Sequence, residues 1–551
     1  MNILGINQVP NMISWQHDSA AALVQDGKII ATVEEERFNR LRHARGYPKL
    51  SVEYCLKEGG ITMKDVDVIA VAYDPLAFIK RGRVNLYPKN LVKDIVNYIF
   101  FTLYLQGLKR ESGARVEYVN HHLSHAASTY RCAGFKEANV LTIDGSGETE
   151  SFAFFTGKNG TLKRIWDIPL GGMFTKKKWS SIGLVYSSVT TLLGMGAHGE
   201  GKTMGLASYG EPKYDFSTIL NIKDHNNYKI DRRNVKKLYG HLERKRGEEI
   251  TQDHKDLAAS LQKALEDSVL NLAREAYEKT GVKNFALAGG VTLNCNTNSK
   301  LLEQDFCDAL FIQPAAHDGG IALGAAMEVS ATVGDNPDMT LIHAYWGPGF
   351  SNDEIEKVLK ESKVDYEYCK NIEEVTAKHV TSGKMVGWFQ GRMEMGPRAL
   401  GNRTILADPT IKDIADKVNV EIKHREVWRP FAPSVAEESA SKFFKGVDKA
   451  EDSPYMLHTF YLQDDFKETF PAITHVDGSS RIQTVRKEQN EKYYNLLKEI
   501  EKINGYPMTL NTSFNDNGEP IVCTPRDALR CFFSTGFDVL VMGNYIVIKN
   551  G

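Results

Sequence analysis

Two histidines four positions apart, His121 and His125 in the stretch YVNHHLSHAA, are the first residues whose spacing suggests chemistry. Four residues make about one helical turn, so both imidazoles would project from one helix face with Cβ atoms about 6 Å apart. That separation suits one metal ion, and Asn120 would cap the helix. A structural helix carries such a pair by chance too, so both interpretations stay open. The zinc-peptidase motifs are excluded because positions 122 and 124 are histidine and serine, not glutamate.

Further ligands for such an ion would have to come from distant parts of the chain. Asp144 in LTIDGSGE and Asp318 in FIQPAAHDGG each follow an apolar, strand-like stretch and precede glycine. Active-site groups collect at strand ends in α/β sheets, so both carboxylates are candidate metal ligands. The alternative for each is an aspartate that only shapes a tight turn.

Three glycine-rich turns could hold a phosphate group: 144–147, 199–205 and 288–290. Glycine lets backbone N–H groups approach phosphate oxygens, and a following helix adds a favourable dipole. The letters GAHGEGKT, 196–203, match a P-loop, but the preceding GLVYSSVTTLLG has helical spacing, whereas a P-loop follows a strand. Together the three turns indicate an actin-like or hexokinase-like nucleotide cleft rather than a P-loop.

Basic residues in the C-terminal third lie next to glycine, proline or aromatic residues, unlike those of a solvated helix face. They are Arg392, Arg398, Arg403, Lys423, Arg425, Arg429 and Arg481. Buried arginines need anionic partners, either structural carboxylates or a phosphorylated substrate. Because few acidic residues are nearby, the pattern favours an anion pocket.

The elements that must position these residues follow from turns and periodicity. NILGIN and the run around the Asp26-Gly27 turn predict a strand followed by a β-hairpin. The same order recurs from Asn139 onward, which predicts an internal duplication of topology. Residues 256–280 carry a helical apolar stripe that ends at Gly281, and NFALAGGVTLNCNTNSKLLE reads as strand, turn and helix. The polar segment 221–249 is predicted to be a solvated insertion or a surface loop.

A domain boundary is predicted near residue 345, which gives domains 1–345 and 346–551. Just beyond it, Ser351 with Glu354 three residues later is typical of a helix N-terminus. The composition is that of an ordinary globular α/β protein.

Charge and composition narrow the class of protein. A net charge of −2 argues against a general nucleic-acid binder. Seven scattered cysteines without a C-x-x-C motif fit a reducing cytoplasm. No leader peptide is predicted, and the apolar run 95–105 is about half of the ~20 residues that a membrane span needs, so we expect a core helix and no membrane partner.

Ten motifs together resemble the carbamoyltransferases related to nodulation protein U. They are HDSAAALV, EEERFNRLRH, HHLSHAAS, IDGSGE, EGKTMGLASYG, GGVTLN, HDGG, EMGPRALGNRTILADP, KHREVWRPFAPSV and NTSFN. That family includes enzymes that carbamoylate hydroxyls of aminoglycoside, cephem and ansamycin antibiotics. The resemblance implies an N-terminal actin-like domain of the ASKHA type with a duplicated β-unit, similar to the threonylcarbamoyl-adenosine transferase subunit. It also implies a C-terminal YrdC-like α/β domain.

The chemistry implied by the resemblance uses ATP and carbamoyl phosphate as co-substrates. The C-terminal domain would form carbamoyl adenylate, and the N-terminal domain would pass the carbamoyl group to a small-molecule alcohol, with a natural product expected. No nucleic-acid partner is expected, and a homodimer is left open. The competing hypotheses are tRNA threonylcarbamoylation, hydrogenase maturation, which should show paired C-x-x-C motifs, and an actin-like ATPase or sugar kinase.

Site residues also follow from the resemblance. His121, His125, Asp144 and Asp318 match the family's ligands for a divalent metal, with Fe(II) expected and Mg²⁺ also considered. His17 matches a histidine near the acceptor hydroxyl and is a candidate catalytic base, with a structural histidine as the alternative. Arg42 is a second catalytic candidate, although it stands where members often have lysine, so its charge is kept but its geometry is not.

The remaining matches are binding residues. Those expected to hold carbamoyl phosphate and the adenylate are Arg398, Lys423, Arg429, Arg481, Ser513 and Asn515. Those expected to line the nucleotide cleft of the N-terminal domain are Gly145, Gly289, Gly290 and Asn294.

Overall fold

The chain forms two compact units, each a mixed α/β structure. The computed structural model describes residues 1–8, 17–75, 77, 91–170, 180–335, 339–450 and 452–549, and only the backbone of 91–101. The first unit comprises Met1–Glu35 and His43–Leu341; the second comprises Glu36–Arg42 and Ile342–Gly551. No local sequence pattern indicated that a segment so close to the N-terminus belongs with the C-terminal unit.

Two five-stranded sheets form the framework of the first unit. Their strands are β1 (Asn2–Ile6), β2 (Ala20–Gln25), β3 (Lys28–Glu34), β4 (Val68–Val71), β5 (Arg115–Tyr118), β6 (Glu137–Ile143), β7 (Glu150–Lys158), β8 (Thr161–Pro169), β11 (Asn284–Ala288) and β12 (Ala309–Ile312), while β9 (Leu220–Ile222) and β10 (Tyr228–Ile230) make a separate hairpin. The first sheet has the order β3-β2-β1-β4-β5 and the second β8-β7-β6-β11-β12. In each sheet three antiparallel strands are followed by two parallel ones. The repeated order predicted from the sequence is thus present in both sheets.

Nine helices of the first unit lie among the described residues. They are α1 (Lys49–Glu58), α2 (Leu91–Ser112), α3 (His121–Tyr130), α4 (Ile182–Leu192), α5 (Glu200–Ala207), α6 (Arg233–Tyr239), α7 (Gln252–Thr280), α8 (Cys295–Leu302) and α9 (Ile321–Thr332). As predicted, α7 ends at Gly281, whose φ of 71° lies in the left-handed region that glycine adopts readily. Within the described ranges, no helix combines the length and apolar character needed to cross a membrane.

Two local predictions are settled by these elements. The segment 221–249, expected to be a solvated insertion or a surface loop, contains part of the β9–β10 hairpin and α6, so the surface-loop alternative was wrong. Its buried Val235 and Tyr239 anchor a helix that the polar composition hid. The P-loop interpretation is excluded as predicted, because the glycine-rich letters follow helix α4 rather than a strand. Gly205, the last residue of the glycine-rich stretch 199–205, lies inside α5.

An eight-stranded mixed sheet forms the centre of the second unit, with the order β13-β23-β22-β14-β15-β21-β16-β20. Its strands are β13 (Glu367–Tyr368), β14 (Val386–Phe389), β15 (Arg403–Ala407), β16 (Ala432–Ala436), β20 (Gln483–Val485), β21 (Met508–Ser513), β22 (Val539–Met542) and β23 (Tyr545–Ile548), while β17 (Phe444–Lys445), β18 (Phe460–Leu462) and β19 (Ser479–Ser480) form a small second sheet. The longer helices are α10 (Asn352–Ser362), α11 (Ile372–Thr381), α12 (Glu491–Asn504) and α13 (Pro525–Ser534). Alternate side chains of β14 enter different cores: Trp388 packs on one face and Phe389 on the other, as the two-residue strand period requires.

The N-terminal segment Glu36–Arg42 is held in the second unit by apolar packing and by hydrogen bonds. Phe38 packs against a buried apolar cluster that includes Ile521. The guanidinium of Arg40 donates to the backbone carbonyls of Ile521 at 2.7 Å and Pro520 at 2.6 Å. Because these carbonyls belong to the chain's far end, the segment is an integral part of that unit.

Candidate functional site

The four predicted metal ligands come together in the first unit. One ligand atom from each of His121, His125, Asp144 and Asp318 lies within 4.8 Å of the others. Nε2 of His121 is 3.3 Å from Oδ2 of Asp144 and 3.7 Å from Oδ1 of Asp318, and Nε2 of His125 is 3.6 Å from the same Asp318 oxygen. We call these four residues the quartet.

The quartet fits a divalent metal ion. Bonds of about 2.1 Å in tetrahedral or octahedral geometry place neighbouring ligand atoms about 3.0–3.4 Å apart, close to the separations measured here. His125 is fully buried, yet among the described residues neither ring nitrogen has a hydrogen-bond partner. Buried polar atoms are nearly always partnered, so an ion is the simplest partner for this imidazole. Two imidazoles with carboxylates are the ligand class that Fe(II) and Zn²⁺ accept.

The N-terminus of α3 is fixed by its capping groups. The side chain of Asn120 accepts from the backbone N–H of Leu123 at 3.2 Å, and the buried carboxylate of Glu148 accepts from the N–H of His121 at 3.0 Å. Glu148 also accepts from the Asn120 amide at 2.6 Å. A carboxyl group that accepts from backbone N–H groups at a helix N-terminus is favourable, and here it fixes His121, the residue at which α3 begins.

The two aspartates enter the quartet from the ends of strands. Asp144 directly follows β6, and its Oδ1 accepts from the N–H of Gly290 at 2.9 Å. Gly289 has a φ of 99°, and a Cβ there would lie 2.2 Å from the carbonyl oxygen of Ile143. Only glycine permits that approach, so the Gly-Gly pair predicted to line a nucleotide cleft also orients Asp144, a predicted metal ligand.

The charges of the quartet favour a cation. Burial opposes ionisation of Asp144, but its hydrogen bond with His121 and the nearby His125 hold the pKa of Asp144 below its usual range. Burial tends to lower the pKa of His121, but Asp318, Asp144 and Glu148 raise it overall to about 9. Burial lowers the pKa of His125, which keeps that ring neutral and able to act as a ligand.

Asp318 begins the turn that leads into α9, and a close contact between helices sets its position. A Cβ at Gly324 of α9 would lie 1.8 Å from the carbonyl oxygen of Ser124 in α3. The two helices that carry Asp318 and the histidine pair therefore pack backbone to backbone at this point.

Replacing Gly324 with alanine should force α9 away from α3. We expect a loss of about 1–3 kcal/mol in the free energy of unfolding, as for other overpacked cores, together with weaker metal binding. Gly201→Ala in α5 is the matched control, because a Cβ there has open space; it should be neutral or slightly stabilising. Urea denaturation of both variants measures the difference, and equal stability would contradict the close contact.

His17, the predicted base, is oriented by a residue that the sequence did not single out. Its Nδ1 lies 2.7 Å from Oδ2 of Asp18, which is buried. Burial alone would lower the pKa of His17, but the hydrogen bond with Asp18 raises it to about 9. In the sequence, Asp18 was noted only as part of the HDSA motif. Its role in orienting His17 depends on a hydrogen bond between these two neighbouring residues.

The other residues predicted to line the nucleotide cleft make hydrogen bonds within the first unit. The carbonyl of Gly145 accepts from Oγ of Ser181 at 2.7 Å. Asn294 caps α8 by accepting from the N–H of Thr297 at 3.1 Å, and it exchanges two hydrogen bonds with Gln262 at 2.9 and 3.0 Å. Nucleotide binding by these residues stays a prediction.

A second group of predicted residues converges in the second unit. Nζ of the buried Lys423 donates to Oγ and the carbonyl of Ser513, at 3.2 and 2.5 Å, and to Oδ1 and the carbonyl of Asn515, at 2.8 and 2.9 Å. All four acceptors are formally neutral. Burial, followed by the charges of Arg425 and Arg429, holds the pKa of Lys423 well below its usual range.

The arginines near Lys423 repel one another. Burial and then the positive charges of Arg429 and Arg481 hold the pKa of Arg425 well below its usual range. Burial also lowers the pKa of Arg429, and Arg42 and Arg481 lower it further. We call Lys423, Arg425, Arg429, Arg481 and Arg42 the cation cluster. The carboxylate of Glu426 offsets part of this charge, because it raises the pKa of both Arg425 and Arg429. The remaining excess of positive charge favours a bound anion, which supports the predicted anion pocket.

Two family models match the chain: the carbamoyltransferase N-terminus over residues 3–327 and the carbamoyltransferase C-terminus over residues 377–549. The chain belongs to the carbamoyltransferase family. Among its relatives, nodulation protein NolNO of Sinorhizobium fredii (strain NBRC 101917 / NGR234) is 40% identical over 98% of this chain and 80% of its own length. Nodulation protein U of the same strain is 28% identical over 94% and 95%.

Solved structures with some likeness to this family member are distant. Full-length HypF in the phosphate- and nucleotide-bound form is 14% identical, with a TM-score of 0.36, over 60% of this chain and 56% of that one. Component A of the (R)-2-hydroxyglutaryl-CoA dehydratase of Acidaminococcus fermentans is 16% identical, with a TM-score of 0.34, over 60% and 97%.

Not every arginine of the carbamoyltransferase C-terminus belongs to the cation cluster. Arg403 is fully buried, stacks on Phe389 and donates to carbonyls that include Gln390 and Pro348. Arg392 donates to the carbonyls of Trp346 and Gly347. These two arginines satisfy backbone groups, so burial of an arginine does not by itself indicate a ligand. Arg398 is half-buried and lies in the loop that connects β14 to β15.

Proposed function

We propose that this family member is an ATP-dependent O-carbamoyltransferase. Carbamoyl phosphate, ATP and water would give carbamoyl adenylate, pyrophosphate and phosphate in the second unit. An alcohol would then attack the carbamoyl carbon in the first unit, giving a carbamate ester, AMP and a proton. The acceptor would be a small molecule, with a natural product as the preferred class, and the reaction would take place in the cytoplasm.

One observation supports the proposal: each of the two units of this chain contains a site suited to one half-reaction. In the second unit the cation cluster offers five positive groups to two anionic substrates. Fixed cations in a site poor in water stabilise developing negative charge strongly. Excluding water also protects a reactive mixed anhydride from hydrolysis. The residues that would hold carbamoyl phosphate and the adenylate are Arg398, Lys423, Arg429, Arg481, Ser513 and Asn515.

In the first unit the quartet would hold a divalent metal, Fe(II) or alternatively Mg²⁺. When bound, such an ion supplies Lewis acidity toward a carbonyl or phosphate oxygen. His17 would remove the alcohol proton at Nε2, since Nδ1 is held by Asp18. With a pKa of about 9, His17 works best as a base at alkaline pH.

The proposal also includes the finer fold assignments. The two sheets with the same strand order suit an actin-like fold, in which a nucleotide binds between duplicated halves. Gly145, Gly289, Gly290 and Asn294 would then lie near the adenylate in the first unit. The second unit would be a YrdC-like domain.

Pyrophosphate exchange tests the adenylation step. Purified protein given ATP, carbamoyl phosphate and labelled pyrophosphate should incorporate label into ATP, and incorporation should depend on carbamoyl phosphate. The label reaches ATP only if an adenylate forms reversibly. Release of ADP without exchange would instead favour an actin-like ATPase or kinase and would overturn the proposal.

A further inference from the structure

Three histidines from distant parts of the first unit form a second cluster beside His17. One ring nitrogen from each of His17, His43 and His198 lies within 4.8 Å of the others. The rings of His43 and His198 are stacked at 3.7 Å, and the ring of His17 meets that of His198 edge-on at 4.7 Å. None of the three belongs to the quartet, so this is a separate group.

Asp18 fixes the protonation pattern of two of these rings. Its Oδ2 lies 2.7 Å from Nδ1 of His17, and its Oδ1 lies 2.7 Å from Nδ1 of His43. A carboxylate only accepts hydrogen bonds, so each Nδ1 carries the hydrogen and each neutral ring keeps its lone pair on Nε2. A carboxylate behind the imidazole is the arrangement that orients histidines as metal ligands.

The backbone around the cluster is held in an unusual conformation. Asp18, His43 and His198 have φ values of 60°, 54° and 58°, in the left-handed region that non-glycine residues rarely adopt. Asn7 helps to hold the first of them, since its amide donates to the carbonyl of Asp18 at 2.7 Å. Such conformations persist where the surroundings enforce them, and they concentrate at functional sites.

We propose that His17, His43 and His198 bind a divalent ion of the zinc type, separate from the metal of the quartet. Three imidazoles leave a fourth tetrahedral position for an oxygen ligand. Bonds of about 2.1 Å require ligand nitrogens about 3.4 Å apart, so the rings must close slightly. His198 is exposed, and its ring would have to turn out of the stack to complete the site.

One consequence rests on the proposed function. An ion on Nε2 of His17 occupies the atom that would remove the proton from the alcohol. Zinc in the cluster therefore inhibits carbamoyl transfer, while the adenylation step in the second unit continues. The cluster would make transfer sensitive to free zinc.

Zinc counting tests the site without any activity measurement. Metal-free protein titrated with Zn²⁺ should bind two ions per chain, measured by calorimetry and elemental analysis. His198→Ala should bind one, His125→Ala one, and the double variant none. His241→Ala, which removes another exposed histidine of the same unit, is the matched control and should bind two. Asp18→Asn should weaken the cluster's affinity about 10–100-fold.

The outcomes separate this inference from the proposed function. If His198→Ala and His43→Ala keep the wild-type zinc stoichiometry and affinity, the site does not exist. If only His125→Ala fails to change the count, the quartet is wrong while the histidine cluster stands. For inhibition, the zinc concentration that halves transfer should rise at least about tenfold in His198→Ala, each protein being compared with its own zinc-free rate. Unchanged inhibition alongside lost zinc binding would overturn the regulatory consequence.

Discussion

Replacing Lys423 with methionine should reduce carbamoyl-phosphate-dependent pyrophosphate exchange about 10²–10³-fold, the usual effect of losing one fixed donor aimed at developing charge. Methionine replaces the apolar stem as far as Cε and removes the ammonium group. Transfer from supplied carbamoyl adenylate should continue, because the quartet lies in the other unit. Exchange measured on purified protein, with thermal unfolding as a check of folding, gives the result.

The control for this variant is Lys492→Met. Lys492 is also partly buried in the second unit, where its Nζ donates to an amide oxygen, Oδ1 of Asn544, at 3.2 Å. It lies outside the cation cluster, so its replacement should leave exchange within about twofold, as expected of a substitution away from the reacting groups. Equal losses in both variants would indicate a general effect on folding. If Lys423→Met keeps the wild-type rate of pyrophosphate exchange, the cation cluster has no role in adenylation.

The second large effect should come from His125→Ala, which removes a buried imidazole, a proposed metal ligand, from the quartet. We expect the bound metal to be lost and transfer from supplied carbamoyl adenylate to fall on the order of 10³-fold, matching the several kcal/mol that a Lewis acid contributes. Pyrophosphate exchange should persist. Elemental analysis and the two half-reactions, measured separately, test this division of labour.

His122→Gln is the matched control for this variant, because His122 lies on the same helix and is equally buried. Its ring contacts Oγ1 of Thr142 at 2.7 Å and the carbonyl of Glu150 at 3.2 Å, and burial lowers its pKa to about 3. It is a structural histidine, so the variant should keep its metal. If both variants lose metal equally, the quartet has no special role. If His125→Ala keeps its metal, the assignment of ligands fails.

Local patterns predicted much of the fold and part of the site. Four-residue spacing placed His121 and His125 on one helix face, and strand-end positions pointed to Asp144 and Asp318, because both features depend on short stretches. The repeated order of strand and hairpin was visible for the same reason. No local sequence feature distinguishes Arg429, which lies near other cations, from Arg403, which donates to backbone carbonyls. The difference arises only from the tertiary environment of each side chain.

Contacts between distant residues account for what the sequence did not show. Asp18 contacts both His17 and His43. His198 lies beside these two histidines, although the glycine-rich stretch around it suggested only phosphate binding. No periodicity connects such positions. The assignment of Glu36–Arg42 to the second unit was hidden likewise, since its partners lie in the last part of the chain.

That assignment has a consequence for synthesis on the ribosome. The carbonyls of Pro520 and Ile521 that accept from Arg40 are translated 480 and 481 residues after it. The second unit must therefore wait for them while an early piece of chain remains accessible. A recombinant fragment starting at the junction after Leu341 would lack that piece and should be poorly soluble. Co-expression with a peptide spanning the missing segment, or its fusion through a linker, would be the way to obtain the unit alone.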